Sequence, residues 1–547
     1  MEKVFWDEEP KRLENGFTLS TFQGNKAAVQ LVYYCPANGA PGRTLQQFEV
    51  KVDGAPADVR LRRVENMPVH MACYENADDD YLRKTPGLYP DRLEDTDSTT
   101  FYPYAGQYRS LWITFEVPQD AQTGDYPVTV RVNYPAKNMI WYGLIEDVPE
   151  DEQTVTEFCF TMHIAEALPE LTTIHTEWFY ADCLADYYNV PVFSDEFWRI
   201  TENFLRSARE HNVNSILTPV FTPALDTYVG GERTTVQLVD VKVNAGGRYT
   251  FATGNLEKWL EICKRLGFLY IELPPFFTQW GAKATPKVVA DVNGREEKIF
   301  GWHVASNDPA YMEFLTEFVP VVIETIGRFG YGRENIIRHT SDEPPAEFRD
   351  TFLKAQKLIN ELLDGCIRVD QNQVHANDIP GVPEAEWPDT LVYYCCVQGH
   401  EGVPNRFFSM PSYRNRAIGI LLYLYGFKGF LQWGFNFYNA GHSFYRIDPF
   451  RVADGDCAWP AGDPFLVYPA SEGTAISSIR AEVQDDAFTD LRMLQKLESR
   501  IGRDSVVKLI YEDSGLEKID INNYPRNSEY YLQLREKMCE KNTWGRS

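Results

Sequence analysis

Residues 309–341 read "PAYMEFLTEFVPVVIETIGRFGYGRENIIRHTS", a predicted helix followed after a short break by the predicted strand "NIIRHTS". The same order occurs earlier, where Ile200, Phe204 and Ala208 have helical spacing ahead of the short apolar run "SILTPV". Further units pair a helix with a strand in residues 255–273, 346–369 and 413–433. Such repetition predicts a parallel sheet, and five or more units over about 330 residues favour a (β/α)8 barrel of the TIM type. A doubly wound open sheet is the alternative, although no glycine-rich fingerprint follows the first strands.

The first 165 residues have a different pattern. "LWITFEV" at residues 111–117 and "YPVTVRV" at residues 126–132 alternate apolar and polar side chains on either side of the turn segment "DAQTGD". Such alternation is typical of half-buried antiparallel strands, and it predicts a β-sandwich. We therefore expect a multi-domain protein, all-β and then α/β. Its parts are an N-terminal β-sandwich at residues 1–165, a catalytic (β/α)8 barrel at 166–500 and a helical tail at 501–547 packed on the barrel.

The composition excludes several classes of function. A net charge of −26 over 547 residues leaves no basic stripe for a polyanion, so no nucleic-acid partner is expected. The amino terminus "MEKVFWDEEPKRLENG" lacks an apolar signal segment, and no run of about 18 apolar residues occurs. We therefore expect no membrane insertion and a cytoplasmic location. The 10 cysteines, without a C-x-x-C spacing, suit reduced and mostly buried thiols.

Two adjacent carboxylates, Asp342 and Glu343, follow the predicted strand at residues 336–341. Barrel enzymes place catalytic groups at the carboxyl ends of strands, but Pro344 and Pro345 could equally open a helix that these carboxylates cap. In a low-dielectric cleft, one carboxyl group of such a pair can stay protonated near neutral pH, as the acid in glycoside cleavage must. Neighbouring residues are too close to flank a glycosidic bond, where about 5 Å or more separates the carboxyl groups. The pair therefore indicates substrate assistance, in which a 2-acetamido oxygen attacks the anomeric carbon, Glu343 is the acid and Asp342 holds the acetamido N–H.

Four segments carry a resemblance to a known family. They are "SDEPP" at 341–345, "PNRFFSMPSYRNRAIGILLYLYGFKGFLQWGFNFY" at 404–438, "GDPFLVYPA" at 462–470 and "SSIRAEVQDDAFTDLRML" at 477–494. With the expected sandwich and barrel, they resemble glycoside hydrolase family 123. The resemblance implies a retaining, substrate-assisted β-N-acetylgalactosaminidase, with Asp342 as stabiliser and Glu343 as acid. Ala470, Asp485 and Ala487 depart from the family pattern at positions that we interpret as structural.

Four further residues are candidates for substrate binding. Trp433 ends the strand "GFLQW" and could stack on a pyranose face, with packing at the barrel rim as the alternative. Asn436 follows it in "GFNFY". Tyr393 and Tyr394 alternate on one strand, so only one can face inward, and we expect Tyr394 to be that one. His303, in "FGWHVASNDP", could bind sugar hydroxyl groups or be a structural histidine.

Metal and nucleotide chemistry have little support in the sequence. The 9 histidines form no H-E-x-x-H and no H-x-H motif, and neither a P-loop nor a G-x-S-x-G elbow occurs. We therefore expect no metal and no cofactor, and a carbohydrate partner in the form of a glycan or glycolipid oligosaccharide. A non-catalytic carbohydrate-binding or scaffold protein is the rival interpretation, because it could keep both carboxylates as hydrogen-bond acceptors. Another hexosaminide specificity and the oligomeric state also stay open.

Overall fold

The computed structural model describes residues 2–11, 15–35, 47–135, 140–141, 144–145, 153–342, 346–369, 373–394 and 399–543. The β-strands in this part of the chain are β1 Thr18–Phe22, β2 Lys26–Tyr34, β3 Phe48–Asp53, β4 Asp58–Val69, β5 Gly87–Asp95, β6 Thr100–Phe101, β7 Tyr108–Glu116, β8 Gly124–Pro135, β9 Ile140–Trp141, β10 Leu144–Ile145, β11 Gln153–Ala165, β12 Ile174–Glu177, β13 Ser215–Leu217, β14 Asp240–Val243, β15 Tyr249–Ala252, β16 Tyr270–Glu272, β17 Val288–Val292, β18 Arg295–Phe300, β19 Ile336–Arg338, β20 Ile367–Arg368, β21 Gln373–His375, β22 Leu391–Tyr394, β23 Gly429–Gln432, β24 Tyr468–Pro469 and β25 Ala475–Ile476. The α-helices are α1 Ala181–Tyr188, α2 Asp195–Glu210, α3 Gly254–Leu266, α4 Pro309–Arg328, α5 Arg349–Leu362, α6 Ser412–Tyr425, α7 Ile479–Ile501, α8 Arg503–Glu512 and α9 Ser528–Thr543.

The strands of the N-terminal region form two main sheets. One has the order β1-β11-β8-β3-β6 and the other the order β2-β7-β4-β5. Both contribute to one apolar core, in which Ile113 and Phe115 of β7 lie with Val130 of β8 and with Phe160 and Met162 of β11. Burial of each such side chain contributes about 1.5–3 kcal/mol, so this core is the main stabilising feature of the sheet-rich region.

Strand β7 is buried on both of its faces. Ile113 and Phe115 point into the core shared by the two sheets. Trp112 points the other way and packs with Ile479 and Val483 of α7. The alternating pattern predicts a half-buried strand, and the structure differs because a helix from the far end of the chain covers the outer face of the second sheet.

The contact between α7 and the N-terminal sheets also includes buried charges. Glu482 of α7 accepts a hydrogen bond from Nη1 of Arg62 in β4 at 2.8 Å, and Nζ of Lys26 in β2 lies 2.9 Å from its other oxygen. Burial alone would raise the pKa of Glu482, but Arg62 and Lys26 lower that pKa well below its usual range. The ion pairs thus hold Glu482 ionised within this buried contact.

A parallel sheet follows the N-terminal region, with the strand order β20-β19-β16-β13-β12-β23-β22-β21. Its first strand along the chain, β12, pairs with its last, β23. Within the described ranges, α-helices separate successive strands of this sheet along the chain except on either side of β21. Strands β20 and β21 form the two edges, and within the described ranges no pairing joins them. Residues 370–372 between these strands lie outside the described ranges. The structure confirms a curled parallel sheet of repeated strand and helix units, whereas the closed (β/α)8 barrel stays a prediction.

A smaller sheet with the order β15-β14-β17-β18 interrupts the alternating units around α3 and β16. The pattern of the sequence does not predict it, because its strands are short and one of them begins with a run of charged residues. In β18, for example, "REEKIF", the first four side chains are exposed. This sheet ends at Phe300, shortly before the candidate residue His303.

The C-terminal helices pack on the parallel-sheet region. Tyr531, Leu534 and Met538 of α9 share an apolar core with Ile420 of α6 and Phe488 of α7. Helix α9 therefore lies against α6 and α7. The domain boundaries expected from the sequence, including a helical tail from residue 501, stay a prediction.

Candidate active site

Asp342 lies four residues beyond the end of β19, at the carboxyl edge of the parallel sheet. Its side chain is 3% exposed and lines a cavity of about 480 Å³. The next helix, α5, begins at Arg349 with Phe348 at its N-cap and has no side-chain cap. Helix α5 therefore takes no cap from Asp342, but a short 3-10 helix, Ala346–Phe348, begins directly after residues outside the described ranges, so the capping alternative for the carboxylate pair is left open. Glu343, together with Pro344 and Pro345, lies outside the described residues.

Aromatic side chains form the inner part of the cavity. Trp178 follows β12, Tyr393 belongs to β22 and Trp433 follows β23, so neighbouring strands of the sheet supply them. The complete lining consists of Trp178, Tyr180, Leu225, Asp226, Gln279, Trp280, Asp342, Tyr393, Trp433, Ala440, Gly441, His442, Phe444, Tyr445, Gly455, Asp456, Ala458 and Trp459. An aromatic pocket with a few carboxylates suits a sugar, which has apolar C–H faces and a polar edge.

Gln279 bridges two acidic residues of the cavity. Its Oε1 accepts from the backbone N–H of Asp226 at 2.6 Å, and its Nε2 donates to Oδ2 of Asp342 at 2.8 Å. The orientation of the amide is settled, because a backbone N–H can only donate. The bridge therefore fixes the rotation of the Asp342 carboxylate and supplies a donor to it. The backbone is held as well, since the N–H of Trp280 donates to the carbonyl oxygen of Asp342 at 3.0 Å.

Both inner tryptophans donate their indole N–H to a buried carboxylate. Nε1 of Trp178 lies 2.8 Å from Oε1 of Glu272, which also contacts Nε2 of His339 at 2.6 Å. Nε1 of Trp433 lies 2.7 Å from Oδ2 of Asp463. Burial raises the pKa of Asp463 to about 7. Neither indole N–H is thus available to a ligand, and the two rings present apolar surface to the cavity.

Strained backbone is concentrated around the cavity. Among its lining residues, Asp226, Trp280, His442 and Asp456 have φ angles of 43°, 60°, 55° and 62°. Residues other than glycine rarely adopt these left-handed backbone angles, and each such residue costs about 1–3 kcal/mol of folding free energy. Such strain is typical of functional sites, where the surrounding structure holds the loops in one arrangement.

The structure brings together two of the residues selected from the sequence and separates three others from them. Asp342 and Trp433 line the same cavity. Tyr394 does not, because its side chain packs on the helical side of the sheet, where its ring lies 5.3 Å from that of Phe430. The expectation that Tyr394 faces inward is therefore wrong, and its neighbour Tyr393 takes that place.

Asn436 is a structural residue in this fold. Its Oδ1 accepts from the backbone N–H of Tyr180 at 2.9 Å, and its Nδ2 donates to the carbonyl oxygen of Tyr180 at 3.1 Å. Its side chain is fully buried and does not line the cavity, so the prediction of a sugar contact is wrong. The residue instead joins the loop after β23 to the loop after β12.

His303 is exposed and lies at a different place. It lines a second cavity of about 360 Å³, together with Trp302, Arg233, Lys287 and Lys298. The loop at residues 222–233 contributes to both cavities. His303 therefore does not share the cavity of Asp342, and its binding of sugar hydroxyl groups stays a prediction.

Several lining residues were missed by the sequence reasoning. Trp178 could have been found, because it follows a parallel strand directly, as Trp433 does. Gln279, Asp226 and His442 lie on long irregular loops, where no periodic pattern indicates direction. Their contribution depends on how the loops fold over the edge of the sheet, which local sequence does not encode.

The described part of the chain has neither a membrane-spanning helix nor a grouped metal site. There, no helix is both long and apolar enough to span a bilayer. Within the same ranges, no three His, Cys, Asp or Glu side chains are grouped so that they could hold a metal ion. The expected lack of a metal cofactor stays a prediction for the protein as a whole.

Comparison with known proteins gives a family match. A family model described as the glycoside hydrolase 123 catalytic domain matches residues 178–497. No curated protein matches the sequence. Among solved structures, a family 123 glycoside hydrolase from Clostridium perfringens is similar at 15% identity, over 96% of this chain and 92% of that one, with a TM-score of 0.66. This likeness concerns the fold alone.

Two other solved structures align with much of the chain. They are the endo-1,4-β-D-xylanase 10B of Clostridium thermocellum, at 8% identity over 90% of this chain and 97% of that one, and a β-glucuronidase of Parabacteroides merdae, at 11% identity over 88% and 51%. Their TM-scores are 0.30 and 0.28. Superposition this poor carries no argument about the site.

Proposed function

Because the chain belongs to glycoside hydrolase family 123 and is a glycoside hydrolase, we propose that it removes terminal β-linked N-acetylgalactosamine by substrate-assisted catalysis. The observation that carries this proposal is the position of the Asp342 carboxylate at the edge of an aromatic cavity. A hydrogen bond from Gln279 holds this carboxylate in one orientation. A carboxylate fixed in this way can hold an acetamido N–H and stabilise the positive charge that develops on the sugar.

The proposed reaction uses the sugar's own acetamido group. Its carbonyl oxygen attacks the anomeric carbon while Glu343 donates a proton to the glycosidic oxygen, and the alcohol leaves. Asp342 accepts a hydrogen bond from the acetamido N–H and stabilises the oxazolinium ion. Glu343 then takes a proton from the water that opens this ring at the anomeric carbon, which regenerates the acid and retains the configuration.

The aromatic part of the cavity supports an N-acetylated sugar. Trp178, Tyr393 and Trp433 are at most 6% exposed, and their rings present apolar surface to the cavity. An acetamido methyl group gains free energy on leaving water for such surroundings, at about 25 cal/mol per Å² of apolar area.

A mechanism with two protein carboxylates is the second candidate. Asp226 and Asp456 line the same cavity as Asp342, and a pair of separated carboxylates is the usual arrangement of glycosidases. In that case one of them would attack the anomeric carbon and form an ester. The two mechanisms differ in their need for the acetamido group.

We also propose glycolipid or mucin-type oligosaccharides as the source of the terminal sugar. The similar enzyme from Clostridium perfringens is described as hydrolysing glycolipid glycans, which supports the proposal without deciding the linkage. Closure of the parallel sheet into a full (β/α)8 barrel through β20 and β21 belongs to the same proposal. In a closed barrel the cavity would lie at the carboxyl end of the strands, where barrel enzymes have their active sites.

A panel of nitrophenyl glycosides tests the proposed function. The β-N-acetylgalactosaminide should be hydrolysed, and the β-galactoside, with a hydroxyl group in place of the acetamido group, should be nearly inert. The rate on the β-N-acetylglucosaminide, compared with that on the β-N-acetylgalactosaminide, then gives the preference of the enzyme between these two epimeric sugars. Comparable hydrolysis of the galactoside would overturn substrate assistance and favour the mechanism with two carboxylates.

A further inference from the structure

Three aromatic side chains at the mouth of the cavity are unusually exposed. Tyr228, Phe444 and Tyr445, which we call the aromatic rim, expose 40%, 61% and 53% of their surface. Phe444 and Tyr445 line the cavity, and the ring of Tyr228 stacks on that of Phe444 with 4.9 Å between centroids and 23° between planes. Single exposed apolar side chains are common, but a contiguous group beside a cavity marks a binding surface.

The aromatic rim is held in place by hydrogen bonds between its two loops. The backbone N–H of Tyr228 donates to the carbonyl oxygen of His442 at 3.0 Å, and Oγ of Ser443 donates to the carbonyl oxygen of Asp226 at 2.6 Å. His442 and Ser443 both have left-handed φ angles, of 55° and 54°. A rim with this much backbone constraint is already ordered before a ligand arrives, so a ligand loses less free energy in ordering it.

The position of the rim relates it to the leaving group. Trp178, Asp342 and Tyr393 at the inner end of the cavity are 2% to 3% exposed, whereas the rim faces solvent. If the terminal sugar occupies the inner end, as the proposed function requires, the rest of the substrate must leave the cavity through its mouth. We propose that the aromatic rim binds the sugar ring to which the cleaved residue is attached, by stacking on the exposed face of Phe444.

The polar groups around the rim favour a sugar over an acyl chain. The hydroxyl group of Tyr445 donates to the carboxylate of Asp456, which is itself exposed. The ring of His442 lies 5.8 Å from that of Phe444, measured between centroids. An acyl chain lying here would strip water from these polar groups without replacing their hydrogen bonds, which is unfavourable. A pyranose ring has an apolar face for Phe444 and hydroxyl groups for the polar edge.

The inference rests on the proposed function and is tested with two substrates that share the cleaved sugar. One is a disaccharide of β-linked N-acetylgalactosamine on galactose, and the other is the methyl β-glycoside, which has no second ring. Phe444→Ala should raise KM for the disaccharide roughly three- to tenfold, the size of one aromatic contact, and leave KM for the methyl glycoside unchanged. Phe444→Tyr should restore the disaccharide KM. Tyr102→Ala, which removes a ring of 55% exposure after β6, is the matched control and should change neither value.

Each other outcome has a definite meaning. Equal changes on both substrates, or no change on either, would overturn the role of the rim. A loss seen only with substrates that carry a lipid would also overturn it, since the occupant would then be an acyl chain. If the unmodified enzyme hydrolyses neither substrate, the proposed function itself fails. Thermal unfolding at the wild-type temperature excludes misfolding of Phe444→Ala as the cause of a change.

Discussion

The indole N–H of Trp433 donates to a carboxylate that is completely buried, that of Asp463, with 2.7 Å between Nε1 and Oδ2. Burial raises the pKa of Asp463 from 3.8 to about 7, so the folded protein keeps a proton that the unfolded chain loses at lower pH. This group therefore makes folding progressively less favourable as the pH rises from about 4 to about 7.

Asp463→Asn should remove this pH dependence, because asparagine does not titrate and its Oδ1 can still accept from the indole. We expect the free energy of unfolding of the variant, relative to wild type, to rise by roughly 2–4 kcal/mol between about pH 4 and pH 7.5. Urea unfolding at several pH values measures the difference. Parallel stability profiles for the two proteins would contradict the assignment.

Gln279 should act through Asp342, whose carboxylate it orients. We expect Gln279→Ala to lower kcat by about 10- to 100-fold with a smaller effect on KM, since misplacement of a catalytic group chiefly affects the reacting geometry. Gln279→Glu should lower kcat further, because the new carboxylate would face Oδ2 of Asp342 and the two negative charges would repel each other. In the Asp342→Ala background, the affinity for a thiazoline inhibitor should become insensitive to the change at residue 279. An additive effect of the two substitutions would argue that Gln279 acts independently.

The effect of Glu343→Gln on the rate of hydrolysis should depend on the leaving group of the substrate. Hydrolysis of natural oligosaccharides needs a proton on the departing oxygen, so we expect a loss of about 10²- to 10⁴-fold. Nitrophenyl glycosides have a good leaving group and should keep part of their rate. The ratio of the two losses is the measurement, and equal losses on both substrates would contradict the role of Glu343 as the acid.

Asp342 should accept a hydrogen bond from the acetamido group and should not attack the anomeric carbon. A thiazoline analogue of the cyclised sugar should bind tightly to wild type, because it resembles the charged intermediate. Asp342→Asn should lose turnover while substrate binding changes little. A fluorosugar that leaves a covalent ester on Asp342 or on Asp226 would refute this prediction, and mass spectrometry of peptides identifies the residue.

Tyr393 and Tyr394 should give opposite results. We expect Tyr393→Leu to raise KM, because this ring lines the cavity. Tyr394→Leu should leave KM unchanged and lower the free energy of unfolding, because its ring lies in the core on the helical side of the sheet. Kinetics and urea unfolding of both variants provide the comparison. A KM effect confined to Tyr394→Leu would reverse the assignment.

The sequence predicts the place of Asp342 and Trp433 better than the direction of other side chains. Asp342 follows one predicted strand and Trp433 ends another, and the carboxyl ends of parallel strands meet at one edge of a sheet. The tyrosine pair is different, because "LVYYCC" is apolar on both faces and its pattern does not identify the inner one. Asn436 and His303 are polar residues on loops, where the fold of the loop decides whether a side chain reaches the cavity.

Contacts between residues far apart in the chain could not be predicted from the local sequence pattern either. The alternation in "LWITFEV" correctly indicates a strand, yet it cannot indicate that Trp112 is covered by α7. The curled parallel sheet follows from repeated helix and strand units. The small sheet that contains β18 does not, because its exposed charged residues hide the strand pattern.

The cover that α7 provides for the second N-terminal sheet has a consequence for synthesis of the protein on the ribosome. Trp112 emerges about 370 residues before its partner Ile479, an interval on the order of 20 to 70 seconds at the usual rate of translation. During that time the sheet has an apolar face without its partner, and Arg62 lacks the carboxylate of Glu482. The first part of the chain to be made is thus among the last to acquire its complete native surroundings.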